Sequence, residues 1–66
     1  MDVKYPDIEV ELVGQNGNAY AILGAVRRAM RRHDIDEDEI EAYLEEAKSG
    51  DYDHLITTTM EYVNVI

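Results

Sequence analysis

The sequence predicts a small α+β domain in β-α-α-α order: one N-terminal strand followed by two or three helices, completed in the preferred reading by dimerisation. Three observations lead there. Residues 8–13 alternate, with Ile8, Val10 and Leu12 on one face and Glu9 and Glu11 on the other, the period of a half-buried strand. Two later segments carry apolar residues at helical spacing. The whole chain has only 66 residues, which bounds it to one domain, residues 1–66.

Each element has its own local reasons. Pro6 marks where the strand begins, since proline cannot donate within a ladder. Gly14-Gln15-Asn16-Gly17-Asn18 follows as a turn-forming cluster, and Asn18 is a good N-cap for what comes next. The first helix should run from Ala19 to Arg32. Ile22, Val26, Ala29, Met30 and His33 share a face, and arginines crowd the C-terminal turns, where cations complement the helix dipole. For the second helix, Asp36 is the N-cap, Glu39 completes a capping box and Ile35 staples against Ile40. Ile40, Tyr43, Leu44 and Ala47 form its buried stripe, and Gly50 sits where a left-handed C-terminal residue belongs.

The last segment has two readings. Capped by Asp51 or Asp53, Leu55, Thr59, Tyr62, Val63 and Ile66 make a helical stripe, yet the run of threonines and Val63-Asn64-Val65-Ile66 are β-branched enough for a strand. We expect a helix over 52–63 with an extended tail. A lone strand would expose unpaired backbone along both edges, so either the tail or a second copy must pair with it. A chain this short buries only about 60% of the surface it exposes when unfolded. It has no cysteine with which to compensate. That favours the second copy, hence a homo-oligomer.

Charge is concentrated. Residues 34–53 hold ten acids against Lys48 alone, while the rest of the chain is balanced, for a net charge of −9. Such a charge opposes generic binding to nucleic acid or to anionic lipid, and leaves room for a basic partner surface. No apolar run approaches a membrane span, and the charged N-terminal residues are unlike a signal peptide. A cytoplasmic protein with no cofactor is expected.

Four features invite a function. A glycine-containing turn at a helix N-terminus can present backbone N–H groups to phosphate or carboxylate. Gly14, Asn16, Gly17 and Asn18 are the residues concerned, and a tight turn with a cap explains them equally. Arg27, Arg28, Arg31 and Arg32 are neighbours at i, i+4 spacing, forming a ridge able to grip an anion. Pairing with the acidic segment is the plainer account of that ridge. The carboxylates of the second helix could dock on a basic protein, though capping and a solvated face account for most of them. Asp34, Asp36, Asp38 and Glu45 fall at calcium-loop positions, but Glu39 occupies the position that demands glycine. For catalysis there is no cysteine, the single serine is Ser49, and His33 and His54 lack a spaced third ligand.

Tyr5-Pro6-Asp7-Ile8, Gly14 to Tyr20, Ile22-Leu23-Gly24 and Ser49-Gly50-Asp51-Tyr52-Asp53-His54-Leu55 together resemble a family of small uncharacterised bacterial and phage proteins. The likeness covers nearly the whole chain. Where that family often has Asp, Phe and Arg, this chain has Asn16, Tyr20 and Ala25. The resemblance implies no activity and transfers no catalytic residue. The expectation is a non-catalytic interaction module with a protein partner. The alternative is a binder of a nucleotide or other anionic ligand, such as one that sequesters a host signalling nucleotide in a phage setting. Its site would be Gly14, Asn16, Gly17 and Asn18, with Arg27, Arg28 and Arg31 of a neighbouring subunit closing it.

Overall fold

The chain runs β1 (Tyr5–Val10), α1 (Ala19–Arg32), α2 (Glu37–Lys48), α3 (Tyr52–Tyr62) and β2 (Val63–Val65), in a computed structural model that describes residues 3–12 and 18–66. The N-terminal strand and the helices that follow are as the sequence predicts.

The partner of β1 is the chain's own tail. β2 lies parallel to β1, with Tyr5 opposite Val63, Glu9 opposite Asn64 and Val10 opposite Val65. This corrects the preference for a second copy in that position. Two further bonds extend the pairing, from Lys4 N–H to the Glu61 carbonyl and from Ile66 N–H to the Val10 carbonyl, both 2.9 Å. A parallel pair needs a long crossover, and here all three helices supply it. The strand starts at Tyr5, earlier than the alternation suggested, so Pro6 falls inside it. The register is irregular between Tyr5 and Glu9, where Pro6 has no N–H to offer.

Ile8 and Val10 of β1, Ile22, Val26 and Met30 of α1, Ile40 and Tyr43 of α2, Leu55 of α3 and Val63 of β2 form one core. Burying side chains of this size is worth about 1.5–3 kcal/mol each, which lets so short a chain hold three helices against two strands.

The corners were harder to foresee. At the end of α1, Ile35 N–H reaches the Met30 carbonyl (3.1 Å) and Asp34 N–H reaches the Arg31 carbonyl (3.0 Å). That is a Schellman motif, and Asp34 takes its left-handed position with φ 59°. Gly50 has no such role. A Cβ there would stand 2.9 Å from both Cβ and Cγ of His54, so glycine is required for close approach. Asp51 caps α3, accepting from His54 N–H at 2.9 Å.

Asp36 caps α2, accepting from Asp38 N–H at 3.4 Å, but no capping box forms. The Glu39 carboxylate instead accepts from Tyr5 Oη at 2.9 Å and pairs with the Lys4 ammonium, which lies 5.4 Å from the Tyr62 ring centre. Inside this clasp, Tyr43 and Tyr62 meet edge to face at 5.2 Å. Tyr43 Oη lies 2.7 Å from Thr59 Oγ1, which donates to the Leu55 carbonyl at 2.8 Å. The Thr59 hydrogen is thus committed, and Tyr43 is the donor between them.

Candidate functional site

Gly14, Asn16 and Gly17 lie outside the described residues. Asn18 is the N-cap of α1, its side chain accepting from Ala21 N–H at 3.0 Å. The arginines stand at the other end of the helix. Arg27 and Arg31 are nine and thirteen residues beyond Asn18, roughly 14 and 20 Å along the axis. One copy of the chain therefore does not bring them to Asn18.

The arginines differ in their surroundings. Arg31 pairs with Glu37 at 2.8 Å, and this contact, reinforced by Arg27, holds the Glu37 carboxyl below its usual range. Arg28 and Arg32 instead line a polar cleft with Glu9 and Glu11, beside β1. Pairing with acids of the same chain thus accounts for Arg31.

A second polar cluster joins α2 to α3. His54 Nε2 stands 2.9 Å from Glu46 Oε2 and 3.0 Å from the Glu46 carbonyl. Both are acceptors, so Nε2 carries the proton. Ser49 Oγ is 3.3 Å from the same nitrogen and donates to the Glu46 carbonyl at 2.7 Å. A nucleophilic serine needs a base with a free lone pair, and this nitrogen has none to give. The cluster ties off the end of α2. Among the described residues no three side chains gather as a metal site, and no helix is long and apolar enough to cross a membrane.

A more apolar groove lies elsewhere. It has a volume of about 420 Å³ and opens between the N-terminus of α1 and the α2–α3 corner. Leu23, Ala47 and Leu55 form its apolar floor, and Tyr20 and Tyr52 line its sides, with Lys48 and Asp51 also on the lining. Tyr20 is 85% exposed, an unusual position for so large a ring. Comparisons with protein-family models, with curated proteins and with solved structures find no match for this chain. Geometry alone must therefore identify the site.

Sequence reading passed over this groove, although a signal was present. Tyr20 lies off the buried Ile22, Val26 and Ala29 stripe of α1, so it is an aromatic residue on a polar face. Tyr52, Ile56 and Met60 repeat at i, i+4, i+8, a second apolar stripe on α3 beside the buried Leu55 and Thr59.

Proposed function

We propose that the chain is a non-catalytic, homo-oligomeric interaction module of the cytoplasm whose surface engages another protein. The observation that carries this reading is the groove between Tyr20 and Tyr52, an aromatic-walled apolar recess on a strongly acidic domain. Exposed tyrosines around an apolar recess are what binding hot spots are made of. The engaged states of Ser49 and His54 weigh against catalysis from that cluster. The resemblance to small bacterial and phage proteins is compatible with a binding role and adds no chemistry.

Oligomerisation would use the outer side of β1, where Glu9 and Glu11 share a cleft with Arg28 and Arg32. A two-fold axis there would bring the cleft of one copy against that of the other.

A second reading, carried by the aromatic pair and opposed by the acids nearby, is a nucleotide held with its base between Tyr20 and Tyr52 and its phosphate at the N-terminus of α1. A thermal-shift screen separates the two. A ligand that binds only the native state stabilises it by RT ln(1 + [L]/Kd), so a rise of several degrees with any mono- or cyclic dinucleotide would establish the second reading. The module reading expects no such rise, together with capture of a protein partner by the tagged domain. It also expects a dimer by light scattering at micromolar concentration, and a monomer would contradict that part of it.

A further inference from the structure

The groove does not stop at Tyr52. Ile56 is half-buried and Met60 is 54% exposed, and with Tyr52 they continue the apolar surface along α3. Eight residues of helix span about 12 Å. The result is a recess at one end and a shallow stripe running away from it, a shape suited to a helix laid alongside α3.

Charge decides what kind of helix. Among the described residues, Lys48 is the one base on the groove lining. Arg27 and Arg31 lie seven and eleven residues from Tyr20 along α1, roughly 10 and 16 Å away. Acids dominate instead. Asp53 and Glu61 are exposed on the solvent side of α3, and Asp51 is on the groove lining itself. An anionic ligand would meet repulsion here. So would the same face of a second copy, which brings the same acids.

We propose that the Tyr20–Tyr52 groove and the Ile56–Met60 stripe together receive an amphipathic helix of a partner protein, one bearing basic residues beside its apolar face. A bulky apolar side chain of that helix fills the recess over Leu23 and Leu55, and its lysines or arginines face Asp53 and Glu61. The proposal rests on the interaction-module reading and gives that reading a surface and a partner chemistry.

The test uses a synthetic amphipathic helix with leucines on one face and lysines on the other, and a scrambled peptide of the same composition. Fluorescence anisotropy should show the amphipathic peptide binding the wild-type protein, more weakly as salt rises. Tyr20→Ala and Met60→Glu should each weaken it by about tenfold or more, with unchanged circular dichroism because both side chains are mostly exposed. Glu41→Lys, on the outer face of α2, should have a much smaller effect. Equal binding of the scrambled peptide, or equal loss across all three variants, would overturn the proposal and leave only charge attraction. A dimer that Met60→Glu dissociates would also overturn it, by giving this face to a second copy. A natural partner still captured by Tyr20→Ala and Met60→Glu would overturn this surface but leave the broader reading standing. If the wild-type protein captures no polypeptide at all, the broader reading fails too.

Discussion

The five tyrosines divide into two groups on opposite terms with the fold. Tyr5, Tyr43 and Tyr62 join the N-terminal strand to α2 and α3, and each has a structural partner: the Glu39 carboxylate, the Thr59 hydroxyl, or a neighbouring ring and the Lys4 ammonium. Tyr20 and Tyr52 instead line a surface groove, and Tyr20 is 85% exposed. One residue type thus serves the interior in one region and faces outward in the other. A ring as exposed as that of Tyr20 is better explained by what it meets outside.

The comparison can be broken most forcefully at Tyr43, which is fully buried. Tyr43→Ala should cost about 3–5 kcal/mol, the range for deleting a large aromatic side chain from a core. In a domain this small that unfolds most of the population, visible as a lost or greatly lowered thermal transition. Burial also raises the Tyr43 hydroxyl above its ordinary pKa of 10.0, as expected of a phenol removed from water.

Gly50→Ala comes next. The new Cβ would collide with the rigid base of the His54 side chain at 2.9 Å, a strain of about 1–3 kcal/mol, read as a lowered denaturant midpoint. This variant sharpens the contrast, because it disturbs the corner that sets Tyr52 while leaving the Tyr43 clasp alone.

Glu39→Gln should have a smaller, pH-dependent effect. The Lys4 ammonium first, and then the Tyr5 hydroxyl, hold the Glu39 carboxyl below its ordinary value of 4.5. A depressed folded-state pKa contributes stability above the unfolded value and loses it as pH falls through the folded one. The melting temperature of the wild-type protein should therefore exceed that of Glu39→Gln at pH 7. The gap should close as pH drops below 4.5 through the folded-state value. A gap independent of pH would mean that the carboxylate's charge is not what holds the clasp.

Tyr20→Ala should do least to stability, within about 0.5 kcal/mol of the wild-type protein. A large loss would place Tyr20 with the structural group and erase the distinction.

Much of this architecture was legible locally. Asp36 and Asn18 cap as expected, and the apolar spacing of Ile22, Val26, Met30, Ile40, Tyr43 and Ala47 marks the faces that are buried. Contacts distant in sequence were not legible. Glu39 looked like a capping-box residue because its competing partners, Lys4 and Tyr5, lie more than thirty positions away. β2 hid inside a helical stripe, since Val63 suits either state and only its pairing with β1 decides. Gly50 carried the right residue for a different reason, as steric demand from His54 has no signature in spacing. The candidate loop was only partly testable, with Asn18 described and Gly14, Asn16 and Gly17 outside the described residues. Helical periodicity gives the arginines as neighbours along a face, while the acid that Arg31 meets, Glu37, lies beyond the end of its helix.

The most direct measurement follows backbone amide shifts by nuclear magnetic resonance while the lysine–leucine helix is titrated into isotope-labelled protein. The changes should gather at Tyr20, Leu23, Tyr52, Ile56 and Met60, and leave Tyr5, Tyr43 and Tyr62 nearly still. Changes centred on Glu41 and Glu45 of α2, or spread evenly over every acidic surface, would contradict the claim that the outward tyrosines define the working face of this molecule.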